Sequence, residues 1–290
     1  MKTFLYNAKG RLRNGWWILF FAGLLALFGF GQVKLMWLIH RLGIPGGSWT
    51  LAIGLLPILG ATWVVLKVRK ESFASAGFNM NTRWARELGL GMAIGIGQIV
   101  LAALIVWALG GVRFEANPAR SFTALIAGML LFFVVAVKEE TLFRGFLFQR
   151  LRDGIGLWPT LILLGALFAF AHWSNPGMQG ATKFWATMDI GIGAVAYGLA
   201  YQRTGSLALP IGIHLGWNWA QGHVLGFGVS GVTTGQGWIL PVFQGKAEWL
   251  TGGSFGLEAS VFAVVMDVVL LVFLLTWQGN APQIGSPIRK

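Results

Sequence analysis

Apolar residues along this chain come in long runs rather than in alternation. Residues 125–137, for example, read LIAGMLLFFVVAV without a single charge. A half-buried strand would alternate every second residue, and a soluble amphipathic helix would turn polar every three or four. Uncharged runs of about 20 residues instead predict helices that cross a bilayer. Eight such segments are expected, at residues 16–39, 49–68, 88–109, 122–149, 157–173, 184–201, 207–224 and 257–277. The stretches SNPGMQG and RTGSLALP carry the Gly and Pro that mark loops. Residues 225–255 are Gly-rich and only moderately apolar, so they read as a long loop or one short interfacial helix.

Composition supports this pattern. Hydrophobic residues make up 56% of the 290 and charged ones 11%, against about 25% charged in an ordinary soluble domain. Mean hydropathy is +0.67. The expected fold is therefore an all-α polytopic membrane protein, with about eight transmembrane helices in one integral domain spanning 1–290. Net charge is +12. In a soluble protein that excess would suggest nucleic acid, but here it follows from topology. With a cytoplasmic N-terminus, the outer loops hold six basic residues, Lys34, Arg41, Arg113, Arg120, Lys183 and Lys246, and the other sixteen of the 22 fall inside. That asymmetry predicts both termini in the cytoplasm and residence in the plasma (inner) membrane, and nucleic acid is not expected as a partner. The first apolar run is too long for a signal peptide and reads as a retained span. The absence of cysteine excludes disulfides, thiolate metal sites and a Cys nucleophile.

Against this background the polar residues inside spans stand out, because each is costly in lipid and usually faces a bundle interior. They are Glu139, Glu140, Arg144, His172, His214 and Asn218, with Asp189 and Asp267 as further buried acids. Glu140 and Arg144 are four apart and share a helical face. Pairing lowers the cost of burying both. Glu139 is rotated by about 100° from Glu140, so it is left to face a cavity, where an uncompensated carboxylate suits a general base. Taken alone, the two glutamates also fit a charge cluster at the cytoplasmic end of a helix. His214 and Asn218, also four apart, project two donors from one face, an arrangement able to stabilise an oxyanion. A lone His172 is equally at home as a hydrogen-bonded structural residue. His40 and His223 read as interfacial. The Gly91–Gly95 and Gly212–Gly216 spacings predict close helix packing. No internal repeat is visible, which weakens a transporter reading.

Glu139-Glu140-x-x-x-Arg144, Phe168-x-x-x-His172 and His214-x-x-x-Asn218 together resemble the three-motif signature of the CPBP intramembrane proteases. That family comprises type II CAAX prenyl endopeptidases and bacterial relatives linked to bacteriocin processing and immunity. The resemblance divides the chain into N-terminal helices (1–120), a catalytic core (121–225), and a loop with the last span (226–290). It implies an intramembrane cavity in which Glu139, assisted by His172, activates a water. His214 and Asn218 would form the oxyanion hole, while Glu140 and Arg144 order the site. The substrate would be a membrane-embedded or lipid-anchored peptide, CAAX-like or a leader. No H-E-x-x-H is present and Glu140 is committed to Arg144, so a metal-free mechanism is favoured. If Zn²⁺ took part, its ligands would be Glu139, His172 and His214. Two alternatives stay open: a non-enzymatic scaffold or immunity protein of the same fold, and a proton-coupled transporter.

Overall fold

A computed structural model describes residues 5–6, 10–46, 49–233 and 235–279. Lys2, Lys9, Arg289 and Lys290, counted above on the inner side, lie outside the described residues. The chain is helical almost throughout: α1 (Asn14–Arg41), α2 (Trp49–Ile53), α3 (Leu56–Arg69), α4 (Thr82–Ala108), α5 (Phe122–Arg144), α6 (Phe146–Ile155), α7 (Leu157–Ala171), α8 (Gly180–Thr204), α9 (Ala208–Trp219), α10 (Glu248–Thr251) and α11 (Val261–Thr276). Side-chain caps begin several of these. Asn81 accepts from Trp84 N at α4, Ser121 from Thr123 N and Ala124 N at α5, and Ser260 from Ala263 N at α11. Each cap satisfies amides that the helix itself cannot. α1, α4 and the α5–α6 stretch are long and apolar enough to cross a membrane, and α7 and α11 are shorter apolar helices. The protein is an all-α membrane protein.

Every expected span contains helix, but three are interrupted. The second breaks after Ile53 into α2 and α3. The fourth, expected as one helix to Gln149, ends at Gly145, where a Cβ would stand 2.4 Å from the Thr141 carbonyl oxygen. The seventh passes from α9 into one π turn, Ala220–Val224. Such widened turns are frequent at functional sites. Residues 225–255 hold more than a loop or short helix. Strand β2 (Ile239–Phe243) pairs antiparallel with β1 (Val112–Ala116), and the four-residue α10 follows.

The core is centred on α9. Every residue from Ala208 to Trp217 is buried, enclosed by α4, α5 and α8. The two glycine pairs make the closest of these contacts. A Cβ on Gly95 would lie 2.1 Å from the Ile213 carbonyl oxygen, and one on Gly216 would lie 2.2 Å from that of Met92. Gly91 and Gly212 meet the same limit. Glycine on both helices lets the backbones touch, which is how van der Waals packing holds helices together in lipid. α9 is thereby fixed against α4, and its opposite side, with His214, is presented to α5.

Candidate active site

α5 carries Glu139, Glu140 and Arg144, and the helical phase separates them as expected. Glu140 is fully buried, and its Oε1 accepts from Arg144 Nη1 at 3.1 Å. The same oxygen lies 2.9 Å from His214 Nδ1. Arg144 Nη2 donates to the Ala194 carbonyl at 2.9 Å, and the guanidinium sits 4.9 Å from the centre of the Phe168 ring. One buried ion pair therefore ties α5 to α7, α8 and α9. A carboxylate accepts only, so Nδ1 of His214 carries a hydrogen and the other ring nitrogen turns toward Glu139. Glu139 itself is a quarter exposed, and its Oε2 lies 3.7 Å from His214 Nε2. That is beyond a direct hydrogen bond and close enough for a group held between them.

His172 sits at the C-cap of α7, and its Nδ1 is 2.7 Å from the Phe168 carbonyl oxygen one turn back. Because that carbonyl accepts, the Nδ1 holds the hydrogen, and Nε2 is left as an acceptor. Asn218 follows His214 by one turn, just before the π turn.

Glu139, His172, His214 and Asn218, brought by α5, α7 and α9, all line one cavity of about 490 Å³. Glu140 and Arg144 are not on its wall; they brace it from behind. Asp189 of α8 and Asp267 of α11 are also on the wall and buried. Four other lining residues are absent from the sequence-based site: Asn175, Tyr197, Ser230 and Glu258. Tyr197 lies eight residues after Asp189, two turns along the same face of α8, and its ring centre is 6.0 Å from that of His214. That spacing was the available signal. Glu258, in the turn before α11, is buried and accepts from the Ser230 amide. Ser230 has the left-handed φ of 50° in a tight turn closed by Val229 and Val232. His223 is buried rather than interfacial, edge-on to Phe132. A glycine beneath it, Gly128, leaves room for its ring. His40 is exposed at the end of α1.

Among the described residues no three His, Asp or Glu side chains converge at ligand spacing. In the set Glu139, His172 and His214, both histidines commit Nδ1, to the Phe168 carbonyl and to Glu140, and Nε2 is the ring nitrogen each has left for a ligand.

Comparison with known families adds to this geometry. The family model described as type II CAAX prenyl endopeptidase Rce1-like matches residues 121–220. The matched region runs from the cap of α5 to the first residue of the π turn and holds Glu139, Glu140, Arg144, His172, Asp189, His214 and Asn218. The matched region does not include Glu258 or Asp267, so part of the cavity wall comes from outside it. The chain is also similar to the uncharacterized protein YyaK of Bacillus subtilis (strain 168), 35% identical over 107 residues. That match covers 34% of this chain and 33% of YyaK, so the chain spans about a third of its relative's length. No solved structure matches the chain.

Proposed function

We propose that this protein is an intramembrane endopeptidase that hydrolyses a peptide bond of a membrane-associated substrate with a glutamate-activated water. The observation that carries the reading is the convergence of Glu139, His172, His214 and Asn218 on one cavity, from three helices, in front of the buried Glu140–Arg144 pair. The match of residues 121–220 to the Rce1-like family model supports it.

In this mechanism Glu139 accepts a proton from water as the oxygen attacks the scissile carbonyl carbon. His172 offers the unprotonated Nε2 as a second acceptor and holds the water in line. The C=O π bond breaks, and the oxyanion receives hydrogen bonds from the Asn218 amide and from His214 Nε2 in its protonated form. Glu140 at Nδ1 and Glu139 beside Nε2 flank that ring. The C–N bond then breaks as Glu139 returns its proton to the leaving nitrogen, giving a carboxylic acid and an amine. No covalent intermediate forms. The fixed donors act in a low-dielectric site where they need no reorganisation. The reaction takes place in the inner membrane, with both termini cytoplasmic and no metal required. Substrates are lipid-anchored or membrane-embedded peptides, CAAX-like or leader-like.

The test is cleavage of a library of quenched, lipid-anchored peptides by the purified protein in detergent. Glu139→Gln should lower the rate by about 10²–10⁴-fold, the range for loss of a positioned base, with its melting temperature unchanged. Undiminished cleavage by Glu139→Gln, or absence of cleavage by the wild type across the library, would overturn the assignment.

A further inference from the structure

The mechanism above uses only some of the residues on the cavity wall. The same cavity is also lined by three carboxylates, Asp189, Asp267 and Glu258, each no more than 4% exposed. Asp267 reaches from α11 across Gly193, where its Oδ2 occupies the space of a Cβ, and Gly193 is one turn along α8 from Asp189. The two aspartates are thus neighbours on adjacent helices. One oxygen of each, Oδ1, is buried without a hydrogen-bond partner. Among the described residues no Lys or Arg forms an ion pair with either, and the basic side chain on the cavity wall, Lys138, is exposed next to Glu139 on α5. A buried charge without a partner is costly, and such groups are normally paired or bind a cation.

Position connects these carboxylates to the chemistry. Asp189 and Tyr197 are eight residues apart on α8, about 12 Å at 1.5 Å per residue, and Tyr197 packs beside His214. An extended peptide advances about 3.3 Å per residue. Asp267, over Gly193, stands midway along that span, so a side chain two to four residues from the bond at Glu139 would reach the aspartates.

We infer that Asp189 and Asp267, backed by Glu258, form a subsite that selects a cationic side chain, lysine or arginine, a few residues from the cleaved bond. This rests on the endopeptidase reading, but it makes a separate claim about binding. It also gives the α11 side of the cavity a purpose, since Asp267 and Glu258 come from outside the region that matches the family model.

Binding can be measured without turnover on the full-length Glu139→Gln protein in detergent, with His172→Ala as a second inactive background. The probes are lipid-anchored peptides identical except for lysine, acetyl-lysine or norleucine at one position, scanned across the sequence. At one register the lysine peptide should bind about tenfold more tightly than either neutral probe, the scale of a hydrogen bond to a charged group. In Asp189→Asn, Asp267→Asn and the double variant, that preference should fall toward unity. Equal binding of all three probes at every register would overturn the subsite, as would a lysine preference that survives the double variant. In the first case the aspartates share a proton instead. Lysine-selective binding without cleavage by the wild type would leave the subsite standing and sink the protease.

Discussion

α1 and α9 are both read from sequence as apolar spans, yet they differ in almost every physical respect. α1 has 28 residues and buries one of them, Phe21. Its Leu19, Leu27, Phe30 and Val33 point outward, each more than 60% exposed. α9 has 12 residues and is surrounded by protein from Ala208 to Trp217. Hydropathy does not separate the two, because lipid and protein interior are equally apolar. What separates them is the pair of glycines that lets another backbone touch α9, and the His that needs partners there. In a membrane protein, small and polar residues mark the interior, and apolar ones mark only insertion.

That contrast can be broken most strongly at the ion pair behind α9. Arg144→Ala would leave Glu140 buried with only His214, and removing one member of a buried pair costs about 3–5 kcal/mol. Thermal or denaturant unfolding in detergent should show that loss, and peptide cleavage should fall with it. Stability within about 1 kcal/mol of wild type would mean the pair does not brace the site. Next is the glycine contact. Gly95→Val places carbon where the Ile213 carbonyl now lies, and overpacking of this kind costs about 1–3 kcal/mol. The same unfolding assay should show it, and an unchanged midpoint would argue against the close approach of α4 and α9. The smallest effect belongs to α1. Leu27→Ala, at a side chain 63% exposed, should move stability by no more than about 0.5 kcal/mol. A larger loss would mean that α1 has a packing partner.

The apolar runs located the helices because insertion into lipid is a local property of sequence. The helical phase likewise separated Glu139 from Glu140 and put His214 with Asn218, since both depend on neighbours four residues away. What escaped was nonlocal. Glu140 meets His214 across 74 residues, and a phase argument cannot say which helices are neighbours. The β1–β2 pairing joins residues 112–116 to 239–243, although VRFEA and ILPVF are short enough to pass for loop. The break at Gly145 was hidden because a single glycine inside an apolar run is often tolerated. The roles of the site residues rest on the motif resemblance and on the shared cavity, and cleavage assays will decide them.

The tight fit of α9 against α4 also bears on how the protein is made. The 12 residues of α9 extend about 18 Å, well short of the bilayer's hydrocarbon thickness of about 30 Å. Such a segment, carrying His214 and Asn218, has little hold on the membrane by itself. Its place is the glycine-lined face of α4, which leaves the ribosome more than a hundred residues earlier. That face must therefore wait, uncovered, while four more helices are synthesised. The chemistry of the cavity comes into being only when a late, short helix closes onto an early, long one, so the half-made chain carries no assembled site.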